Sequence, residues 1–172
     1  MNSRLELSTP RLILIGADDA LLRAELDSQA ALAVVTDSTV PVAWPPEHHD
    51  RSVIEWVSKS LDLLGPNEPW RLFYIVLSNP RTLIGTCGIK QAPDTNGCVE
   101  VGYTVLDQFR CRGFASEAVM ALMRVAFDRG ASEVAAETFP SLLPSLRVME
   151  KRGMTKIGEG SEAGTVRYSK RL

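Results

Sequence analysis

The chain has 172 residues, 45% of them hydrophobic, and its 19 basic and 21 acidic side chains leave a formal charge of −2. This length suits one well-buried core and is short for two, so residues 1–172 are expected to form a single domain. The charge lacks the basic excess that nucleic-acid binding uses, and no apolar stretch is long enough to span a bilayer, so neither is an expected partner.

The polar, charged start Met1–Glu6 has no apolar core of a secretory signal, which points to the cytoplasm. A strand is expected at 11–15, then helices over 18–33 and 51–64. Between the helices, Asp37–Asp50 holds Pro41, Pro45 and Pro46, Trp44 and both histidines, and proline at that density breaks regular structure. His48 and His49, adjacent in a polar loop, read as solvent-exposed and stay outside the catalytic set. Strands over 70–77 and 82–90 form a hairpin, and a Pro/Asp/Asn/Gly turn at 93–97 leads to a strand over 99–106 rich in β-branched and aromatic residues. Apolar residues at Ala115, Ala118, Val119, Leu122, Val125 and Ala126 give a helix over 112–129 with one buried face, ended by Gly130. A strand over 133–138, a helix over 142–151 and a hairpin of 155–158 with 165–171 complete the chain. Strands in a meander followed by strands alternating with helices make a mixed α/β (α+β) sheet. Cys87, Cys98 and Cys111 are odd in number and lack metal-ligand spacing, so reduced thiols and no metal site are expected.

The junction Leu106–Ala115, Leu-Asp-Gln-Phe-Arg-Cys-Arg-Gly-Phe-Ala, joins the strand over 99–106 to the long helix. A helix that begins at a short Arg/Gly turn presents unpaired N–H groups and the positive end of its dipole at one point, with Arg110 and Arg112 adding full charges. Such a point binds phosphate, and Gly113, lacking a Cβ, lets the backbone approach it closely. The turn has neither the Gly-Lys-Ser/Thr of a nucleotide P-loop nor the Gly-x-Gly-x-x-Gly of dinucleotide folds. Cys111 lies inside it as a candidate reactive thiol.

The strand Glu100-Val101-Gly102-Tyr103-x-Val105-Leu106, the turn Arg-x-x-Gly-x-Ala over 110–115 and the helix after it resemble the pyrophosphate loop of the GNAT superfamily of acyl-CoA-dependent N-acetyltransferases. Three further segments are similar to the branch that holds the ribosomal-protein N-terminal acetyltransferases. They are Leu7–Leu14, the hairpin with Ile84-Gly85-Thr86-Cys87-Gly88, and Glu137-Thr138 followed by Ser145–Met154. The resemblance implies a GNAT fold, with a mostly antiparallel sheet of about seven strands splayed at the acetyl-CoA site and about four flanking helices. It also implies acetyl transfer from acetyl-CoA to a primary amine by direct attack in a ternary complex. A peptide N-terminus and a small-molecule amine both remain open as acceptors, as does assembly as a homodimer. The main rival is a non-catalytic acyl-CoA sensor or interaction module.

Carried onto this chain, the resemblance lays Tyr103, Thr104 and Val105 along the pantetheine arm, with a backbone N–H near Tyr103 or Thr104 for the acetyl oxygen. Arg110, Cys111, Arg112, Gly113, Phe114, Ala115 and Ser116 form the phosphate loop, and Lys151 reaches the adenosine phosphate or is an ordinary surface lysine. Glu100 shares a strand face with Gly102 and Thr104 by alternation. A carboxylate on an otherwise buried strand needs a reason, since an unpaired buried charge is costly, and Gly102 leaves room beside it for an amine or a water. Glu100 is the candidate base, the alternative being an ion pair with an Arg of a neighbouring strand. The tyrosine that many family members carry before Glu-Lys is Met149 here, so Ser145 is the candidate acid, unless it only supports the helix start after Pro144. Leu142 stands where the family has an Asn for the pantetheine. Acceptor specificity is expected around Trp44–Asp50.

Overall fold

A computed structural model describes residues 4–65 and 67–172. Residues 1–3, part of the segment searched above for a signal, lie outside the described residues. The elements in chain order are β1 (Glu6–Ser8), β2 (Leu12–Gly16), α1 (Asp19–Asp27), α2 (Gln29–Thr36), α3 (Arg51–Leu61), β3 (Leu72–Ser78), β4 (Arg81–Ile89) and β5 (Cys98–Val105). A 3₁₀ turn at Asp107–Phe109 then leads to α4 (Phe114–Asp128), β6 (Glu133–Thr138), α5 (Leu143–Lys151), β7 (Thr155–Glu159) and β8 (Val166–Arg171). The strands form one sheet in the order β1-β2-β3-β4-β5-β6-β8-β7, antiparallel everywhere except between β5 and β6.

The mixed, mostly antiparallel sheet is as expected, with eight strands where about seven were expected. The added one is β1. Thr9 turns the chain between β1 and β2, its N–H donating to Leu12 O and its hydroxyl accepting from Leu12 N–H, both at 2.9 Å. The helix expected over 18–33 is two helices, because Ser28 is extended in backbone (φ −168°). Its N–H closes α1 on Ala24 O while its Oγ accepts from Ala31 N–H to open α2, so one residue serves as both caps. The long helix begins at Phe114, two residues later than expected, leaving residues 110–113 as free loop. No helix among the described residues is long and apolar enough to cross a membrane.

Alternation along the strands sorts side chains into two apolar layers. Phe73 and Ile75 of β3 and Val99 and Val101 of β5 pack with Ala118, Val119 and Leu122 of α4. Tyr74 and Val76 of β3 pack on the other face with Leu21 and Leu22 of α1, Leu32 of α2 and Ile54 and Val57 of α3. The sheet is therefore covered on both faces, as its near-continuous apolar central strands require.

Between β4 and β5 the backbones come close at Gly85, which pairs with Val105. A Cβ there would stand 2.2 Å from Thr104 O and 2.9 Å from Val105 Cα. Both atoms are backbone, so the strands would have to part. Gly85→Ala is expected to destabilise the fold by about 1–3 kcal/mol, the usual cost of overpacking. A denaturant midpoint equal to wild type would contradict this close approach.

Candidate active site

β5 and β6 run parallel for three pairs only, Cys98 with Glu133, Val99 with Val134 and Glu100 with Ala135, and then diverge. In an antiparallel ladder alternate residues turn both N–H and C=O to the partner strand. Lys90 N–H donates to Glu100 O at 2.9 Å and Leu106 N–H to Ile84 O at 2.8 Å. Glu100, Gly102 and Thr104 thus face β4 with their backbone groups, and Tyr103 and Val105 turn theirs toward the gap. Of the two residues that the sequence left open for a free N–H, only Tyr103 has that orientation.

Two clefts open at this gap. One, of about 430 Å³, runs from Tyr103, Thr104 and Val105 past Arg110 and Gly113 to Ser116 and Lys151. The other, of about 720 Å³, lies between the hairpin of β3 and β4 and the β6–α5 connection, with Thr86, Lys90, Gly102, Glu137 and Phe139 among its walls. His48, Tyr103, Thr104, Leu142 and Ser145 line both.

The end of the first cleft has the features of a phosphate site. Gly113, at φ +83°, is the cap residue of α4 and supplies no side-chain bond, so the first-turn N–H groups of the helix stay free. Cys111 is also left-handed, at φ +61°, and its thiol is exposed. Ser116, 4% exposed, has a buried Oγ without a hydrogen-bond partner. A buried unpaired hydroxyl beside an uncapped helix terminus fits an incoming anion. Phe114 and Ala115 line the cleft beside it, the Phe114 ring being buried in the core.

Arg110 and Arg112 are tied into the protein. The Arg110 Nε donates to Val105 O at 2.9 Å, and its Nη2 donates to Glu47 Oε2 at 3.3 Å. The Arg112 guanidinium lies over the Phe109 ring, 5.8 Å from its centroid. A clamp that sequence reading missed holds the loop from below. Glu117, in the first turn of α4, accepts from Thr9 Oγ1, Arg11 N–H and Arg11 Nε, and Arg11 Nη1 donates to Arg112 O at 3.1 Å. Residues some 100 positions apart carry no local signal of such a contact.

Glu100 is a correction. Its carboxylate, 17% exposed, accepts from Lys90 Nζ and, at 3.1 Å, from Arg167 Nη1, and Arg167 also binds Glu137. It is not among the residues that line either cleft. Bonded to two cations and outside both clefts, it has the ion-pair role that was its alternative. Glu137 reaches the second cleft. Burial pushes its carboxyl up, but bonds from Ser161 and Arg167 outweigh that and hold it below the ordinary glutamate range.

Ser145 stands at the meeting of the clefts, and its carbonyl accepts from Tyr103 Oη at 3.0 Å, which ties α5 across the gap to β5. Burial pushes the Tyr103 phenol up. Met149, by contrast, is 2% exposed and packs in the core beneath α5. Lys151 and Arg147 line the cofactor end of the first cleft from α5, Arg147 unremarked in the sequence.

His49 is the second correction. Its side chain is 1% exposed, and its Nε2 lies 3.0 Å from Glu25 Oε1. Glu25 also accepts from Trp44 Nε1 at 2.8 Å and from the Tyr74 hydroxyl. Burial pushes the Glu25 carboxyl up, and the His49, Tyr74 and Trp44 contacts more than offset it, leaving it below the ordinary range. The one signal was Glu25 itself, three and four positions after Leu22 and Leu21 on the apolar stripe of α1. His48, as expected, is exposed.

Comparison with known proteins agrees with this geometry. An acetyltransferase (GNAT) domain model matches residues 19–155, most of the chain. This chain belongs to the GNAT acetyltransferases. It is 31% identical over 87 residues to an uncharacterized N-acetyltransferase p20 of Bacillus licheniformis, a match that covers 50% of this chain and 49% of that protein. The chain thus spans about half the length of that curated relative. Its fold is similar to that of a ribosomal-protein-S5-alanine acetyltransferase from Vibrio fischeri, with a TM-score of 0.69 at 17% identity over 97% of this chain and 96% of that one. It is also similar to the RimL ribosomal L7/L12 alpha-N-protein acetyltransferase in complex with coenzyme A, with a TM-score of 0.67 at 19% identity over 98% of both chains.

Two tests follow from the loop. Valine is strongly disfavoured at φ +83°, so Gly113→Val is expected to abolish the thermal stabilisation given by CoA, and calorimetry showing full affinity would refute the assignment. At Glu117, burial pushes the carboxyl up, and Thr9 and Arg11 pull it further down, so its folded pKa lies below the unfolded one. Its contribution is present above the ordinary glutamate range and lost as pH falls through the folded value. Glu117→Gln should lower the melting temperature at neutral pH and converge on wild type in acid. A difference independent of pH would exclude the linkage.

Proposed function

We propose that this GNAT acetyltransferase transfers the acetyl group of acetyl-CoA to a primary amine by direct attack in a ternary complex, as a single cytoplasmic domain. The observation that carries the reading is the divergence of β5 from β6 after Glu100, which frees the Tyr103 N–H where a cofactor cleft and an acceptor cleft meet. Residues 113–116 at the start of α4 hold the pyrophosphate, Ser116 Oγ donating to it. Tyr103, Thr104 and Val105 lie along the pantetheine. The Tyr103 N–H donates to the thioester oxygen as negative charge develops on it.

The amine enters from the larger cleft, whose rim carries the half-exposed rings of Trp56 and Phe139. Ser145, which lines both clefts, passes a proton to the departing thiolate. A thiolate is a weak base compared with an amine, so this donor contributes modestly. The V. fischeri and RimL structures are named for acetylation of ribosomal proteins, which supports peptide N-termini as one acceptor class alongside small amines.

The decisive assay incubates the protein with acetyl-CoA and a panel of phenethylamine, spermidine, lysine and peptides starting with Ser, Ala or Met, and measures thiol release. Release that depends on one amine class is expected. CoA binding without release on any amine would favour the sensor. Ser145→Ala, checked for folding, is expected to slow turnover about 10-fold to 100-fold. A wild-type rate in that variant would leave water as the donor.

A further inference from the structure

With Glu100 in ion pairs and outside both clefts, acetyl transfer to an amine needs another acceptor for the amine proton. Of the five residues that line both clefts, His48 is the only one with an imidazole, the side chain most often used as a general base. Its imidazole is 75% exposed, and its backbone is left-handed at φ +63°, which is uncommon for a residue with a Cβ. Strained backbone persists only where its surroundings enforce it. Here both neighbours are fixed. On one side Glu47 O accepts from Thr104 Oγ1 at 2.8 Å, which fastens the loop to β5. On the other, His49 is buried against Glu25, Trp44 and Tyr74. The buried cluster and the Thr104 bond together hold the one residue between them over the junction of the clefts.

Resting on the acetyl-transfer reading above, we propose that His48 is the proton acceptor for the attacking amine. Its imidazole lone pair takes one proton from the ammonium R–NH₃⁺, and the freed nitrogen lone pair forms the C–N bond to the acetyl carbon. The C–S bond then breaks and CoA leaves as thiolate. The second amine proton reaches that sulfur by way of the Ser145 hydroxyl, so the products are the amide, CoA thiol and imidazolium, which returns its proton to solvent. The imidazolium faces Glu47, whose Oε1 is 3.6 Å from His48 Nε2. The other charged or titratable groups that line the two clefts are Tyr103 on β5 with Arg110 and Cys111 after it, Cys87 on β4 with Lys90 just after it, Arg71 before β3, His49, Glu137 and Glu162 across the acceptor cleft, and Arg147 and Lys151 on α5.

The test is His48→Asn, because Asn tolerates left-handed backbone and does not titrate. With the panel amine on which wild type is fastest, kcat/KM is expected to fall about 10²-fold and the acid limb of its pH profile to disappear. The melting temperature and CoA affinity should stay at wild-type values. A folded variant with the wild-type rate and acid limb overturns the proposal. NMR of ¹⁵N-histidine protein provides a readout apart from turnover. The chain has two histidines, and the signals absent from His48→Asn are those of His48. They are expected to move when acetyl-CoA is added, and a ring that acetyl-CoA leaves unmoved also overturns the proposal. Failure of wild type on the whole panel would tell against amine acetylation itself, while the NMR result would still decide whether His48 meets the cofactor.

Discussion

The organisation of this protein depends on a ladder that stops early. β5 pairs with β4 from Val101 to Val105, but with β6 only over its first three residues, Cys98 to Glu100. A strand edge inside a sheet normally finds a partner, since each unpaired buried backbone group is costly. Here β5 and β6 part after Glu100, and the Tyr103 hydroxyl bridges from β5 to Ser145 of α5 across the opening. The unpaired edge becomes a binding surface, and the clefts on either side follow from it.

Around that gap the loops are fastened by contacts distant in sequence. The Arg11–Glu117 clamp fixes the phosphate loop to the turn between β1 and β2. The Glu25–His49 pair fixes the proline-rich loop from the opposite face of the sheet. Arg110 joins the two, bound at once to Val105 O and to Glu47. The two sides of the gap are mechanically linked, so Arg110 of the Arg-x-x-Gly-x-Ala turn also locates the loop that borders the larger cleft. The same economy applies to charge. Lys90, Glu100, Arg167 and Glu137 neutralise one another at the closed end of the splay, which leaves the partly buried strand with no unpaired carboxylate.

What the sequence alone determined was what local pattern encodes. β-Branched runs with period two placed the central strands, the apolar stripe from Ala115 to Ala126 placed α4, and the Arg-x-x-Gly-x-Ala turn marked the phosphate loop and, through its resemblance, the family. These rest on spacings of a few residues, which propensity and periodicity report directly. Only the tertiary structure decided which polar residues are free to act. To a sequence reading Glu100 on its largely buried strand is the candidate base and His48 an exposed residue of a proline-rich loop. Glu100 is bound by Lys90, just after β4, and by an arginine from β8, and His48 is held over the junction by its buried neighbour His49. Lys90 and Arg167 lie 10 and 67 positions from Glu100, and Glu25, which holds His49, lies 24 positions from it, and it is the folded sheet that brings them together.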